Sequence, residues 1–599
     1  MKLAELVDYF ARLEESGRRL GAVTLLAQLF GRVSRSELEP VVNLLQSQLR
    51  PAYEGVEFGV GERMLTAILA QAYEVSEARV TTAYKKAGDL GLVAEALARR
   101  ARGQLTVTDA YQALLGIARA GGPGALERRR ALAVTLLQRA GPREARYLVR
   151  ILQGRLRLGI GDATILEATA AGALGSRAKK ALVEYAYNVR SDLGGVVRLA
   201  YAGGERALGR IGPKVGVPVR PALAQRLPSA AAIVARLGTA AVEPKYDGFR
   251  LQLHRDGNEV WAFSRRLENV SAMFPELVQG VRRQLKTRTA ILEGEAVVYD
   301  PKTGRFLPFQ VTITRKRKYG VSEAAARHPL RLFAFDLLFA GGRAYLSAPQ
   351  RERHRKLAAL LRSTPRDPVV VTDVLETSDA NELERYFAAM LGRGLEGVVA
   401  KRPDAPYRAG ARGYDWIKLK RAYQSKLRDT VDVVLVGYLA GRGKRAALGV
   451  GSLLAAVYDP AGDRFRTVAK IGSGPSETEW KALKASLDRD ARARAPARVD
   501  SLITPDVWVE PRLVVEVLAD EITRSPRHTC GKVGSGPGYA LRFPRMLDGV
   551  RRDRSPEDAT TETEVTELFR MQRSGVARRP RSSPLRSPRL RSRGSVRNL

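Results

Sequence analysis

Five short stretches hold the residues whose types and spacing can do chemistry. In VEPKYDGFR (Val242–Arg250), Lys245 lies just before Asp247 and Gly248. A lysine in such a loop is either a solvated turn residue or a nucleophilic amine. The second reading requires a neutral nitrogen, so burial or neighbouring cations must lower its pKa. WIKLKR (Trp416–Arg421) offers those cations. On a strand, Trp416, Lys418 and Lys420 share one face, and Ile417 and Leu419 take the other. A solvated strand would read the same way; facing a cleft, the two lysines hold phosphate charge. In ILEGEAVVYD (Ile291–Asp300) Glu293 and Glu295 share a strand face, and in LEGVVAKRPD (Leu395–Asp404) Glu396 precedes a short apolar strand ending at Lys401. These acids are rim residues in ion pairs, or oxygen ligands for a hard cation such as Mg²⁺. RLFAFDLLF (Arg331–Phe339) places Phe333, Phe335 and Leu337 on one face, either as core or, at a cleft edge, as a platform for a purine.

The elements that must position these residues change character along the chain. Residues 1 to about 211 read as helices: Leu3, Leu6, Val7, Phe10 and Leu13 keep the i, i+3, i+4, i+7 spacing of one buried face. GPKVGVPVRP (Gly212–Pro221) is rich in Gly and Pro and reads as a linker. From about 240, alternation takes over, with Phe249, Leu251 and Leu253 opposite Arg250, Gln252 and His254, and a hairpin signal at Asp256-Gly257. Mixed strands and helices run to about 425, as in an α+β domain. Short, glycine-interrupted strands from VDVVLVGYLAG (Val431–Gly441) onward suggest a small barrel. Residues 573–599 carry nine arginines and no acid among many Ser and Pro, a composition that predicts disorder.

A chain of 599 residues is too long for one core, so three to four domains are expected. Its net charge of +38 calls for a polyanionic partner, nucleic acid ahead of a membrane surface. Without the nine arginines of the final segment the charge is still +29. No apolar run is long enough to span a bilayer, and MKLAELVDYFARLEE is mixed in charge, unlike a secretory leader; no membrane partner and a cytoplasmic location are expected. One cysteine, Cys530, excludes a disulfide framework and a Cys-rich zinc site, and four scattered histidines make a His-based metal site a poor expectation.

Each stretch is weak alone, but their order is specific. KYDG, EGE, an aromatic-Asp strand, EGVVAK and WIKLK form the motif series of the covalent nucleotidyltransferases. Within that superfamily the chain closely resembles the archaeal-type ATP-dependent DNA ligases, over nearly its whole length to about residue 572. GVEFGVGERML (Gly55–Leu65), RILQGRLRLGIGDATILEA (Arg150–Ala168), RKYGV (Arg317–Val321), HTCG (His528–Gly531) and ALRFPRMLDGVRRDRSPEDATT (Ala540–Thr561) extend the likeness beyond the site.

The resemblance implies a multidomain α and α+β fold: an all-α DNA-binding domain (1–211), a linker (212–221), an α+β adenylation domain (222–425) and a β-barrel OB-fold domain (426–572), followed by the Arg/Ser/Pro-rich tail (573–599). It implies that Lys245 attacks the α-phosphate of ATP, with Glu243 at the adenine edge and Phe335 stacked on the base. Arg250 and Arg265 resemble nucleotide-contacting arginines. Glu295 matches an acid at the ribose and metal, and Glu396 a metal-site acid with Lys401 beside it. Arg412, Lys418 and Lys420 match phosphate-side cations. A family motif that orients the leaving pyrophosphate falls on Arg551, Asp553 and Arg554, where Arg554 replaces a lysine and keeps charge but not geometry. The implied cofactors are ATP and Mg²⁺, with Mn²⁺ as a substitute. The implied partner is nicked double-stranded DNA met by a monomer, with a sliding clamp as a further partner, although no clamp-recognition motif stands out. The expected role is nick sealing in replication, repair and recombination. The alternatives are an RNA ligase, a capping-type nucleotidyltransferase and a non-catalytic DNA-binding clamp. A single cysteine disfavours an NAD-dependent ligase, whose zinc module needs four.

Overall fold

The computed structural model describes residues 1–574 apart from 17–18, 88, 100–102, 155, 157, 159, 228, 301–305, 308, 318, 365–366, 421–429, 442–447 and 552–553. The chain divides into two compact units, Met1–Arg421 and Ala422–Leu599. Of the expected disordered tail at 573–599, residues 573–574 instead end helix Glu562–Ser574, and residues 575–599, like Asp553, lie outside the described residues.

The first unit begins with a run of α-helices from Leu3–Glu15 to Leu193–Gly209. The opening helix buries Leu3, Leu6, Val7, Phe10 and Leu13, the face that the 3.6-residue period selects. Helix Val107–Arg119 starts at Thr106, whose side chain and that of Asp109 form a reciprocal capping box. Residues 212–222 then run back along the sheets, with Val219 and Ala222 buried.

Two sheets follow. Their strands are β1 (Leu223–Arg226), β2 (Ala240–Lys245), β3 (Phe249–Asp256), β4 (Glu259–Ser264), β5 (Thr289–Val298), β6 (Leu330–Ala340), β7 (Arg343–Ala344), β8 (Val369–Val371), β9 (Leu375–Thr377), β10 (Gly397–Lys401) and β11 (Arg412–Lys420). One sheet has the order β1-β11-β10-β2-β9; the other has β4-β3-β5-β6-β7, with β8 also on β6. The β3–β4 hairpin closes where Asp256 pairs with Glu259, and Gly257 supplies the left-handed residue of the turn (φ 58°). Leu251 and Leu253 enter the core, as alternation requires. On the opposite face Gln252 and His254 are also buried and Arg250 is mostly covered, because residues 212–222 bond to all three.

One expectation fails in β6. Phe333, Phe335 and Leu337 do not share a face. Against β5, Asp336 pairs with Glu293 and Ala334 with Gly294, so Phe335 is the extra residue of a β-bulge. A bulge resets the alternation. Leu337 joins Leu332 and Ala334 in one core, whereas Phe333 stacks on Tyr246 on the other side.

The second unit is strand-rich. Its strands are β12 (Val431–Leu439), β13 (Ser452–Asp459), β14 (Arg464–Ile471), β15 (Ala491–Arg492), β16 (Val499–Asp500), β17 (Val507–Val509), β18 (Val514–Leu518), β19 (Glu521–Ser525), β20 (Gly538–Arg542) and β21 (Arg545–Val550). The main sheet runs β15-β17-β12-β13-β14-β16, and β18 joins β12 to β21. β12 is buried along its length up to Tyr438, which explains its apolar run from Val433 to Val436. The molecule is thus a multidomain protein with a helical N-terminal region, a central α+β region and a strand-rich C-terminal region.

Candidate active site

The register of three strands brings the chemistry-bearing residues together. β10 lies between β2 and β11, antiparallel to both. Its Gly397 is opposite Lys245 on one side and Lys420 on the other; Val399 is opposite Glu243 and Lys418; Lys401 is opposite Ala241 and Trp416. Side chains at alternate positions share a face, so Lys245, Glu243, Lys418, Lys401 and Trp416 all line one cavity of about 460 Å³. Glu396 sits just before β10, its N–H bonded to the Lys245 carbonyl at 3.1 Å. From there its carboxylate meets Lys245 Nζ at 2.6 Å and also pairs with Lys420.

The other sheet supplies the facing wall. Arg250 of β3, Glu295 of β5, Phe335 of the β6 bulge and Arg265 after β4 line the same cavity. Gly248 of KYDG is explained by proximity: a Cβ there would lie 2.2 Å from the Ala296 carbonyl oxygen. The backbone can thus cross closely beside β5 on its way from Lys245 to Arg250.

Charge in the cavity is unevenly balanced. Lys401 and Glu243 form a buried pair at 2.7 Å, with side chains 1% and 4% exposed. The Lys401 ammonium also stands 4.6 Å from the Phe335 ring centre and 4.3 Å from that of Trp416. Burial raises the Glu243 carboxyl to about 7 in spite of Lys401. Its Oε1 is buried and unpaired, an acceptor aimed at no described donor. Burial likewise raises Glu295 to about 7, against the pull of Lys245 and Arg250. Burial alone would lower Lys245, as the sequence suggested. The carboxylates of Glu396 and Glu295 outweigh it, and the amine stands above the ordinary lysine value. The expected depression is thus reversed: the groups nearest the nitrogen are acids, not the lysines of β11. Glu396 is the counterpart, pushed up by burial but held below the usual carboxylate range by Lys245 and Lys420.

Among the expected site residues, Lys245, Glu243, Arg250, Arg265, Glu295, Phe335, Lys401 and Lys418 line one cavity. Glu396 and Lys420 join through the ion pairs with Lys245. Arg412 begins β11, and its side chain lies outside the described residues. Arg551 and Arg554 belong to the second unit, where both approach Asp432, at 3.6 and 3.0 Å. Trp416 is a wall residue that alternation with Lys418 had already placed on the correct face. Phe249, which alternation had placed with Leu251 and Leu253, also lines the cavity, as do Phe274 and Lys316, and Tyr407 stands behind Arg250; no sequence pattern marks the last three. Among the described residues no group of three or more His, Cys, Asp or Glu is placed to hold a metal ion.

Comparisons with known proteins match all three regions of the chain. Residues 2–170 match the family model for the DNA ligase N terminus, 221–420 that for the ATP dependent DNA ligase domain, and 446–554 that for the ATP dependent DNA ligase C terminal region. A probable DNA ligase of Dictyoglomus turgidum is 44% identical over 573 residues, covering 96% of this chain and 98% of the relative. DNA ligase 2 of Thermofilum pendens is 42% identical over 586 residues, covering 95% and 97%. The solved structure "Pmar-Lig_PreS3" shares the fold at a TM-score of 0.54 and 16% identity, covering 91% of this chain and 98% of that one.

Proposed function

This chain belongs to the ATP-dependent DNA ligase family, and we propose that it seals nicks in duplex DNA through an AMP carried on Lys245. It is an enzyme that uses ATP to join DNA, which sets aside the RNA-ligase, capping and non-catalytic readings. One observation carries the assignment of the nucleophile: Lys245 lies in a cavity beside Glu396, which also binds Lys420, so an amine, a carboxylate and a second cation converge at one point.

In the first step the Lys245 nitrogen attacks the α-phosphorus of ATP. A P–N bond forms, the P–O bond to pyrophosphate breaks, and the amine loses its proton. In the second step the 5′-phosphate of the nick takes the AMP and releases Lys245. In the third, the 3′-hydroxyl attacks the activated 5′-phosphate and AMP leaves. Such transfers depend on positioning and charge neutralisation. Lys418, Lys420 and Arg412 are assigned to the phosphates, and Arg250 and Arg265 to the nucleotide. Phe335 serves as the base platform, held between Lys401 and the edge of Trp416. The unpaired Oε1 of Glu243 suits the exocyclic amine of adenine, a donor that guanine lacks at that position.

Glu295 and Glu396 would hold Mg²⁺ or Mn²⁺ through their carboxylate oxygens, the hard ligands such ions take. When bound, the ion would supply charge neutralisation for the phosphates; Glu396 and Glu295 are also the acids that hold Lys245 protonated. We assign residues 1–211 to DNA binding, 222–425 to adenylation and 426–572 to an OB-fold, with 212–221 between the first two and 573–599 as an appended basic tail. Arg551, Asp553 and Arg554 are assigned to orienting pyrophosphate. The working form is a monomer on nicked duplex inside the cell, with a sliding clamp as an additional partner, in replication, repair and recombination. No helix among the described residues is long and apolar enough to cross a membrane.

The test is incubation with labelled ATP and Mg²⁺. Wild-type protein should acquire acid-stable AMP and seal a nicked duplex, and Lys245→Ala should do neither. Labelling of Lys245→Ala at the wild-type level would place the nucleophile elsewhere.

A further inference from the structure

We infer that the segment joining the helical region to the sheets is a working part of the nucleotide site, and that Tyr407 and Gln252 are positioning residues that set the Arg250 guanidinium through it. This rests on the assignment of Arg250 to the nucleotide.

Arg250, Gln252 and His254 are alternate residues on the outer face of β3. Each takes a backbone group of residues 212–222, at three-residue intervals. His254 Nδ1 accepts from the Gly216 N–H at 3.0 Å. Gln252 accepts from the Val219 N–H at 2.8 Å and donates to the Val219 carbonyl at 3.0 Å. Arg250 Nη1 donates to the Ala222 carbonyl at 2.6 Å. Buried peptide groups need partners, and here side chains of β3 stand where a neighbouring strand would.

The chain of bonds closes on itself at Arg250. The Ala222 N–H donates to the Tyr407 hydroxyl at 2.9 Å, and that hydroxyl donates to Glu293 Oε2 at 2.8 Å. The same oxygen receives Arg250 Nη2 at 2.7 Å, and Glu293 Oε1 receives Gln252 Nε2 at 3.2 Å. A guanidinium is a rigid plane. Fixing Nη1 on Ala222 and Nη2 on Glu293 leaves that plane one orientation, 5.4 Å from the ring centres of both Phe335 and Trp416. Its Nε is buried with no described partner. The next residues of the segment, Leu223 and Ala224, line the nucleotide cavity directly. At its other end the segment is tied to the helical region: Ser191 Oγ donates to the Pro218 carbonyl at 2.6 Å, and the Arg220 N–H to the Asn188 carbonyl at 2.8 Å. Tyr407 meets the cavity lining at Arg250 and at the edge of Trp416, and its effect is assigned to Arg250.

The experiment is a double-mutant cycle on self-adenylylation. kcat and KM for ATP are measured for wild type, Tyr407→Phe, Arg250→Ala and the double variant, with unfolding temperature recorded for each. Tyr407→Phe should lower kcat/KM about tenfold, mainly through KM, a coupling of the size found within one hydrogen-bond network. In the Arg250→Ala background it should add less than about twofold, because the group it positions is gone. An equal loss in both backgrounds would overturn the inference, since Tyr407 would then act independently of Arg250; so would wild-type kinetics for Tyr407→Phe. If Arg250→Ala itself adenylylates normally, the assignment of Arg250 to the nucleotide fails and takes this inference with it, a result distinct from the other two. Should Tyr407→Phe fold poorly, Gln252→Met provides the same cycle from the other side of Glu293, with the same expected loss and the same loss of effect without Arg250.

Discussion

The amine of Lys245 is held protonated by the carboxylates around it, against the pull of burial. A nucleophile in that state needs its proton removed, so the rate of self-adenylylation should rise with pH. Glu396→Gln removes the nearest carboxylate and leaves burial less opposed. The rising limb of the pH–rate profile should therefore move to lower pH, even as the maximum falls with the loss of the acid assigned to the metal. Rates of acid-stable AMP labelling across the neutral and alkaline range read this; an unmoved limb would mean that Glu396 does not set the amine. Glu295 makes the opposite statement about stability. Its carboxyl is raised from 4.5 to about 7 by burial, so the folded protein holds the proton more tightly than the unfolded chain does. Stability is full below the unfolded value, declines as pH rises toward about 7, and the loss is complete above it, at most about 3 kcal/mol. Glu295→Gln, which cannot ionise, should unfold at a higher temperature than wild type above neutrality and at a similar temperature in acid. Equal differences at both pH values would contradict the assignment of that cost to Glu295. A residue that weakens the fold in this way is expected where function, not stability, keeps it.

Strand β10 is the element on which the site is assembled, because its register sets Lys245 and Lys420 opposite one residue. That residue has to be glycine. At Gly397 (φ +149°) a Cβ would lie 2.1 Å from the Leu419 carbonyl oxygen and 3.0 Å from Lys420 Cα. Gly397→Ala should force β10 and β11 apart, costing about 1–3 kcal/mol and separating Lys420 from Glu396. Thermal unfolding together with AMP labelling checks both parts; a stable variant with normal labelling would show that this register is not needed. The β6 bulge is the second device at this scale. With Phe335 as an extra residue against β5, Leu337 turns into the core beside Leu332 and Ala334, while Phe335 lines the cavity. Periodicity alone could not place Leu337, since bulges have no signature in hydrophobic pattern.

At the scale of the whole molecule the dominant quantity is charge. A net +38 on a protein that joins DNA predicts binding governed by counterion release. Affinity for a nicked duplex should fall steeply as salt rises, with a logarithmic slope of about −0.9 for each phosphate neutralised. Truncation after residue 572 leaves +29, so most of that slope should survive it. A flat response in the full-length protein would remove the polyanion argument altogether. Helical and strand-rich regions were readable because local periods of 3.6 and 2 report which faces are buried. The Gly- and Pro-rich residues 212–221 read as a connector, but their burial against β3 has no local signal.

Residue order along the chain determined the family: KYDG, EGE, the aromatic strand, EGVVAK and WIKLK carry the resemblance to the ATP-dependent DNA ligases. Composition determined the partner's sign. Only the tertiary structure decided which groups are neighbours. Strand register placed Glu396, not Lys418 or Lys420, nearest the Lys245 nitrogen, and so reversed the direction of its pKa. The same register put Lys401 against Glu243, and a loop far along the chain put Tyr407 behind Arg250. The reason is physical. Electrostatic and hydrogen-bond energies fall off within a few ångströms, and those distances are set by strand pairing between residues more than a hundred positions apart.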